Sequence, residues 1–385
     1  MIIGVSVATT LAANVAVLVA RDQGGAAPVT SPQQAAQARF VAASGSTRVS
    51  PTAVAPQGKR LTPHVMIAGS ATLPPALSAK IRKLKDVRGV EIVDAVQAMV
   101  AGKRVGLLGV EPSTFRNYTP KPTAQSDDLW RNIAAGDVAI SFTMGNDGDV
   151  KLGSQVPVDG KERKSSVRVG AYATMGISDV DAVISRATAQ TLGMPTANAM
   201  LVSLPKGDPA KFIKSLRKVL PKGVKAVEVN PEIDVPTAGD QQLPTANGQV
   251  MTSQQVRTVI RAAHTRLGWP YVWGGESEAE GGYDCSGLMQ YAFARAGIRL
   301  PRVAADQARV GWVVPYAKAQ PGDMLIFAND PTAPGYISHI TLYLGNGKML
   351  AAPRRGTVVQ VQNVYTGTLK GAVRVNPRRA NGLAG

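Results

Sequence analysis

The sequence predicts an α+β protein in which a helix that carries a cysteine packs on an antiparallel sheet. A mixed α/β domain and an apolar N-terminal segment precede that part. Three observations support the prediction. The single cysteine, Cys285, lies at the start of a helical apolar pattern. Strand-like runs separated by turn residues follow it, and one of them begins near His339. At 385 residues, the chain is long enough for two or three domains with separate cores.

Charge and composition exclude several classes of protein. The net charge is +17, but it is spread along the chain and forms no basic block with interleaved aromatic residues. Nucleic-acid binding is therefore not expected. A diffuse positive charge suits anionic surfaces such as cell-wall polymers or lipid headgroups, and it equally serves solubility. Three scattered histidines and one cysteine make no ligand cluster, so neither a metal nor a cofactor is predicted.

The N-terminal part predicts export followed by a spacer. Residues 1–20 are mostly apolar, and at 1.5 Å per residue they would span roughly 30 Å, just enough for a bilayer. We expect a signal peptide or a membrane anchor, and favour an anchor because no A-x-A cleavage site follows. Residues 21–60 are rich in Ala, Pro, Gln, Ser and Thr and have too little apolar surface for a core. They predict a flexible linker.

Residues 61–233 predict a mixed α/β domain without a catalytic constellation. Two amphipathic helices are expected, one from Pro75 to Leu84 and one around Phe212 to Leu220, the latter stopped by Pro221-Lys222-Gly223. His64 is interpreted as a strand-end residue. The expected strands are His64–Ala68, Val90–Val96, Val105–Val110, Asp137–Ser141 and Val167–Tyr172.

The order of elements in this region resembles the extracytoplasmic core domain of MacB- and FtsX-type transporter permeases, although the sequence lacks four transmembrane helices. The resemblance implies an interaction module, with a membrane or cell-wall protein as a possible partner. Residues 234–250 are polar with Pro and Gly and predict a second linker. The segments that carry the resemblance are Gly106–Pro112, Ala135–Ser141, Leu152–Ser154 and Asp181–Ala189.

The C-terminal part places a thiol at a helix start and an imidazole at a strand start. Thr252 and Gln255 fit a capping box that opens a first helix. Asp284 is a predicted N-cap, so Cys285 lies in the first turn, where the helix macrodipole favours thiolate. His339 is the only histidine downstream and begins an apolar run. Such a pair predicts a thiol hydrolase with His339 as its base.

At this point residues 251–376 resemble the NlpC family of bacterial cell-wall cysteine peptidases, and residues 377–385 are interpreted as a tail. The resemblance implies a papain-like fold and an enzyme that cleaves peptidoglycan stem peptides, commonly at D-γ-glutamyl–diamino acid bonds. It also implies that Cys285 is the nucleophile, His339 the base and Tyr271 an oxyanion contact, while Asp284 and Ser286 contact the stem peptide. The motifs that carry it are Pro270–Gly275, Asp284–Gly287, Leu300–Arg302, Gln320–Phe327, Leu344–Met349 and Ala352-Pro353.

One position departs from the family. The residue before Ala352-Pro353, usually a His or another polar residue, is Ala351. An alanine cannot orient an imidazole, although Gln360, Asn363 or a backbone carbonyl could take that role. Because a Cys–His pair already activates the thiol, we expect weakened but present activity.

The sequence thus predicts a secreted or membrane-anchored cell-wall hydrolase, and three alternatives stay open. The domain could be a wall-binding module that has lost turnover, as Ala351 suggests. The chain could be a scaffold of an export or conjugation machine, with the middle domain in the main role. Papain-like sites also run acyl transfer or amide hydrolysis on other substrates.

Overall fold

The computed structural model describes residues 41–43, 54–159, 164–216, 219–229 and 250–384. The signal peptide or anchor predicted at residues 1–20, and most of both predicted linkers, lie outside these residues. Within them, no helix is long and apolar enough to cross a membrane.

The part of the chain before residue 230 is built on a ten-stranded sheet. Its helices are α1 (Pro75–Arg82), α2 (Pro112–Phe115), α3 (Lys121–Gln125), α4 (Asp127–Ala134), α5 (Phe142–Asp147), α6 (Arg186–Thr191) and α7 (Pro209–Leu216), with a 3₁₀ turn at Arg116–Tyr118. Its strands are β1 (Val41–Ala42), β2 (Val65–Ala68), β3 (Gly89–Val100), β4 (Lys103–Val110), β5 (Val138–Ile140), β6 (Gln155–Asp159), β7 (Lys164–Tyr172), β8 (Ala182–Ser185), β9 (Ala199–Ser203) and β10 (Lys225–Glu228).

Six of these strands close on themselves. Pairing runs from β3 through β4, β8, β5, β7 and β6 and back to β3, where Val100 faces Val158. The strand pairs β4–β8 and β5–β7 are parallel, and the others are antiparallel. The long strand β3 leaves this barrel at its N-terminal half, where it pairs with β9. The sequence predicted four of the six barrel strands, but not β6 or β8.

The barrel is apolar on both faces because helices cover its outside. Leu107 and Ile140 belong to the interior cluster, whereas their chain neighbours Leu108 and Ala139 join the outer one. Trp130 on α4 is fully buried in that outer cluster. Strands buried on both faces appear in sequence as continuous apolar runs, as Val138–Ile140 does.

The predicted linker at residues 21–60 is partly ordered against the middle domain. Strand β1 pairs antiparallel with β7, with Val41 opposite Tyr172. The Gly58 N–H donates to Asn117 Oδ1 at 2.8 Å. The flexible-linker prediction is therefore wrong for these residues, because hydrogen bonds to the domain and the packing of Val54 against its core hold them in place.

The C-terminal part holds a six-stranded sheet in the order β13-β18-β14-β15-β16-β17. Its helices are α8 (Ser253–His264), α9 (Cys285–Ala294), α10 (Ala304–Gln307) and α11 (Pro377–Leu383), with 3₁₀ turns at Glu278–Glu280 and Tyr316–Lys318. The sheet strands are β13 (Gly311–Val314), β14 (Met324–Phe327), β15 (His339–Gly345), β16 (Lys348–Ala351), β17 (Gln360–Asn363) and β18 (Leu369–Val375), and a small hairpin pairs β11 (Glu276–Ser277) with β12 (Gly282–Tyr283).

Helices α8 and α9 pack on one face of this antiparallel sheet. Ile340 and Leu342 of β15 point into the core that contains Leu288 and Phe293 of α9. Tyr343, the residue after Leu342, belongs to a smaller cluster on the opposite face. This is the predicted arrangement of a cysteine-bearing helix on an antiparallel sheet.

Residues 377–383 form helix α11, so their interpretation as a tail is wrong. Asn376 caps the helix by accepting from the N–H groups of Arg378 and Arg379, and Pro377 fits the first turn. Ala380 is fully buried in the main C-terminal core. The apolar contact of that residue holds the helix on the domain.

The two parts of the chain contact each other directly. Arg355 pairs with Asp149 at 2.6 Å, and Arg309 pairs with Glu228. The Lys103 ammonium lies 5.4 Å from the centre of the Trp273 ring. Both parts belong to one compact unit that begins at Arg39.

Candidate active site

The thiol of Cys285 is placed by the first turn of α9. Asp284 is the N-cap, and its Oδ1 accepts from the Gly287 N–H at 2.7 Å. Cys285 is the first residue of the helix and is 8% exposed. The thiol therefore lies where the free N–H groups of the helix start converge.

Arg302 holds this turn in place. Its guanidinium binds both carboxylate oxygens of Asp284, at 3.1 and 2.7 Å, and donates to Ser286 Oγ at 2.8 Å. The second Asp284 oxygen also accepts from the Gly274 N–H. Asp284 and Ser286, predicted as stem-peptide contacts, line the cavity but are committed to these internal bonds. Their substrate contact stays a prediction.

No role for Arg302 or Gln307 was evident from the sequence, although Arg302 lies in the Leu300–Arg302 motif. The buried Gln307 amide donates to the carbonyls of Ser286 and Pro301 at 2.9 and 2.8 Å. It thereby ties the helix start to the loop that carries Arg302. The Leu-Pro-Arg motif could have indicated that Arg302 has a role. The spacing of residues in the sequence could not show that Asp284 is its partner.

His339 is the first residue of β15 and is 6% exposed. It pairs with Phe327 in the β14–β15 ladder, and the two rings lie 5.7 Å apart. His339 and Cys285 line the same cavity, whose volume is about 340 Å³. The structure thus brings together the two predicted residues although 53 intervening positions separate them in the sequence.

Burial changes the charge state that the helix position alone predicts. It raises the pKa of the Cys285 thiol to about 12, and the Asp284 carboxylate adds to the rise. It also lowers the pKa of the His339 imidazole to about 4, against the opposing effect of Asp284. At neutral pH both groups are therefore uncharged, whereas the macrodipole argument predicted thiolate. Burial thus opposes the effect that the helix dipole predicts.

Tyr271 also lines this cavity. Burial raises its phenol pKa well above the ordinary value, and the neighbouring Asp284 carboxylate adds to the effect. The phenol therefore stays protonated and can donate a hydrogen bond. That property suits the predicted contact with an oxyanion.

Ala351 is fully buried at the end of β16. Leu342 pairs with Leu350, so continuing the register places Ala351 beside Thr341, two residues from His339. The two side-chain substitutes that the sequence suggested bond elsewhere: Gln360 donates to Gln362, and Asn363 accepts from Lys348 at 2.6 Å. Across the described ranges, no side chain hydrogen bonds the His339 ring.

The middle domain supplies one wall of the cavity, which the sequence did not predict. Arg104, Phe142 and Asp181 line it opposite Tyr271 and Cys285. Burial raises the pKa of Asp181 to about 6, partly offset by a hydrogen bond from Ser141. The site is therefore composite, since residues 90 or more positions apart in sequence (Asp181 and Tyr271 are the nearest) form its two walls.

A thiol at a helix start, an imidazole at the start of a neighbouring strand and a phenol beside them define a papain-like cysteine hydrolase site. The NlpC/P60 family model matches residues 268–376. These residues are an NlpC/P60 domain, as the sequence motifs predicted.

The C-terminal part is similar to curated bacterial proteins. It is 41% identical over 139 residues to peptidoglycan endopeptidase RipB of Mycobacterium tuberculosis, a match that covers 33% of this chain and 54% of RipB. It is 38% identical over 130 residues to the gamma-D-glutamyl-L-lysine dipeptidyl-peptidase of Bacillus subtilis, covering 33% of this chain and 43% of that protein. The chain thus spans about half the length of these relatives.

Among solved structures, that of RipB from M. tuberculosis is 37% identical in sequence. The match covers 36% of this chain and 71% of the chain in that structure, with a TM-score of 0.29. These matches do not bear on the permease resemblance of the middle domain, which stays a prediction.

Proposed function

We propose that the protein is a peptidoglycan hydrolase, a cysteine endopeptidase that acts outside the cytoplasm on stem peptides. The observation that carries the proposal is the shared cavity of Cys285, at the start of α9, and His339, at the start of β15. The name of the curated relative RipB, a peptidoglycan endopeptidase, supports the same substrate class. Secretion or membrane anchoring through residues 1–20 is a further part of the proposal.

The geometry suits a general-base mechanism. The neutral His339 imidazole takes the Cys285 proton as the sulfur attacks the peptide carbonyl, and the carbonyl electron pair moves onto oxygen. The Tyr271 phenol and the N–H groups at the helix start donate to that oxyanion. The imidazolium then gives its proton to the leaving amine, the C–N bond breaks, and water hydrolyses the thioester through the same histidine.

For the scissile bond we propose the D-γ-glutamyl–diamino acid linkage. The B. subtilis relative is named for a γ-D-glutamyl-L-lysine specificity, which supports this assignment. The cavity has walls of both charges, with Arg104 and Arg302 beside Asp181, so it can take a substrate that carries both carboxylates and an amine.

Digestion of purified peptidoglycan by the full chain tests the proposal. The parent protein is compared with Cys285→Ala, and the released muropeptides are identified by mass. We expect fragments with a new amino terminus on the diamino acid, absent from the Cys285→Ala digest. Equal fragments from both proteins would exclude a thiol mechanism.

The second candidate is a wall-binding module without turnover. Ala351 favours it, because the described structure gives the His339 ring no hydrogen-bonding orienter. Co-sedimentation with peptidoglycan that equals the parent's in Cys285→Ala, combined with no cleavage by either protein, would support this candidate. Cleavage restored by Ala351→His would instead show that only the orienter is missing.

The middle domain is proposed to contact a membrane or cell-wall protein, as its resemblance to permease domains implies. Retention of a membrane protein by the full chain, lost when surface residues of the middle domain are changed, would support that role. Unchanged retention after such changes would assign the contact to another part of the chain.

A further inference from the structure

The loop between β14 and β15 delivers His339 to the site. This loop, residues 328–338, is called here the His339 loop. Its end is fixed by Ser338, whose Oγ accepts from the N–H groups of Asn329 and Asp330 at 2.9 and 3.1 Å. The Ser338 N–H donates to the Phe327 carbonyl at 3.0 Å. Asp330 is thereby hydrogen bonded to the residue immediately before His339, so a shift of Asp330 should move the start of β15.

Thr174 of the middle domain is hydrogen bonded to this loop. The Thr174 hydroxyl donates to Asp330 Oδ2, and its backbone N–H donates to Thr332 Oγ1 at 2.9 Å. Asp330 in turn accepts from the N–H and hydroxyl of Thr332 at 2.8 and 2.7 Å. Thr174, Asp330 and Thr332 are all at most 5% exposed. Because these polar groups are buried, their hydrogen bonds are costly to lose.

The same threonine also contacts the cavity wall. Its Oγ1 accepts from the Phe142 N–H at 3.4 Å, and Phe142 begins helix α5, which lines the cavity. A second threonine, Thr123, donates weakly to the carbonyls of Thr174 and Thr332, at 3.3 and 3.4 Å. One buried hydroxyl therefore joins the middle-domain wall to the loop that ends at His339.

We propose that Thr174 of the middle domain is a positioning residue for His339, acting through Asp330 and the His339 loop. The proposal rests on the proposed peptidase function. Ala351 cannot hydrogen bond the His339 imidazole. In the described part of the site, placement of the ring therefore depends more strongly on the backbone that carries His339. The middle domain is then part of the catalytic apparatus and not only a tether or a partner surface.

The test compares Thr174→Val with Thr174→Ser in the full chain. Valine keeps the shape but removes the hydroxyl, whereas serine keeps the hydrogen bond to Asp330. On peptidoglycan fragments we expect Thr174→Val to lower kcat by about 10- to 100-fold, since a misplaced catalytic group costs about that much. KM should stay within about twofold, because the loop contributes to the reaction step more than to binding. Thr174→Ser should retain most of the parent's kcat.

A second readout needs no substrate. Cys285 is the only cysteine in the sequence, so iodoacetamide labels one thiol. Loosening the His339 loop admits water, so we expect Thr174→Val to be alkylated at least about fivefold faster than the parent at pH 7.5. The midpoint of its rate–pH profile should fall towards that of an ordinary thiol, with Thr174→Ser close to the parent. Thr191→Val, a matched change at an exposed site of the same domain, should leave both readouts unchanged.

Asp330→Ala removes the acceptor of the same hydrogen bond and replaces Thr174→Val if that variant does not fold. An unchanged kcat together with unchanged alkylation in both variants overturns the proposal. A rise in kcat also overturns the proposal, since the hydrogen bonds of Thr174 would then hold His339 in a less active position. If the parent cleaves nothing, the proposed function fails, and the alkylation profiles alone decide whether Thr174 positions the site.

Discussion

At the scale of the residue, burial opposes the thiolate that the helix dipole favours. Cys285 and His339 are each less than 9% exposed, and burial pushes their pKa values in opposite directions. The uncharged pair suits a base that deprotonates the thiol only as substrate enters. Ala351 gives the His339 imidazole no side chain that could orient it. The orientation of the ring therefore depends more strongly on the backbone position of His339.

Alkylation of Cys285 should be slow in the folded protein. Because burial raises the thiol pKa to about 12 from about 9, the thiolate population at pH 7.5 is far below that of free cysteine. We expect iodoacetamide to react at least ~100-fold more slowly than with free cysteine. The folded state keeps its proton where the unfolded thiol loses it, so stability falls as pH rises above about 9.

The urea-unfolded protein is the control for this experiment, and it should react at the ordinary rate. A reaction midpoint below pH 8 in the folded protein would contradict the prediction. It would indicate that a charged thiolate–imidazolium pair forms before substrate binds.

Replacing Arg302 should damage the site and the fold together. Arg302→Gln leaves the buried Asp284 carboxylate without its bidentate partner. We expect unfolding to become easier by about 2–4 kcal/mol, less than for a fully buried pair because Arg302 is partly exposed. Chemical denaturation measures the loss, and peptidoglycan cleavage should fall at least tenfold.

Arg299→Gln is the matched control for Arg302→Gln. Arg299 lies in the same loop and its side chain is exposed, while its backbone N–H donates to Asn381 Oδ1. Equal losses in the two variants would show that loop charge, and not the pair with Asp284, sets stability here.

At the scale of the element, the start of α9 depends on a close backbone approach. A Cβ on Gly287 would lie 2.2 Å from the Gly275 carbonyl oxygen and 2.9 Å from Glu276 Cα. The loop before β11 thus rests directly on the first turn that carries the thiol. The glycine of the Asp-Cys-Ser-Gly motif serves this contact.

Gly287→Ala should therefore displace the helix start. We expect a loss of about 1–3 kcal/mol in the free energy of unfolding, the usual cost of overpacking, and cleavage reduced at least tenfold. Thermal unfolding and muropeptide release measure the two effects. Gly382→Ala is the control, because α11 leaves open space at that position. A Gly287→Ala protein as active as the parent would show that the loop yields without moving Cys285.

At the scale of the whole molecule, the barrel domain and the NlpC/P60 domain share the cavity that Cys285 and His339 line. Arg309 and Glu228 join them through a largely buried pair, with side chains 13% and 24% exposed. Arg355 and Asp149 join them at the surface, where both are 52% exposed. The first contact should contribute more to stability than the second, because solvent screens exposed charges.

Comparing Arg309→Gln with Arg355→Gln tests this ranking. We expect the first variant to lose about 2–4 kcal/mol in denaturant unfolding, since Glu228 is left without its partner. The second should lose less than about 1 kcal/mol. A larger loss in Arg355→Gln would place the main coupling between the domains at the surface.

Local signals foretold much of the C-terminal fold. The capping box of Thr252 and Gln255 and the N-cap Asp284 are present as predicted. Strand β15 begins at the predicted histidine. Such features depend on residues a few positions apart, so a single sequence is enough to predict them. The predicted tail failed because the burial of Ala380 depends on a distant core.

The sequence by itself determined the NlpC/P60 domain, the candidate pair Cys285 and His339, and the absence of a polar residue at Ala351. The tertiary structure alone decided the closure of the barrel, the pairing of Arg302 with Asp284 and the hydrogen bonds of Thr174 to the His339 loop. These contacts join residues 18 to 156 positions apart, as with Arg302 and Asp284 or Thr174 and Asp330. It also decided the charge state of the site, because desolvation depends on every segment that packs around a group, and no local pattern records that sum.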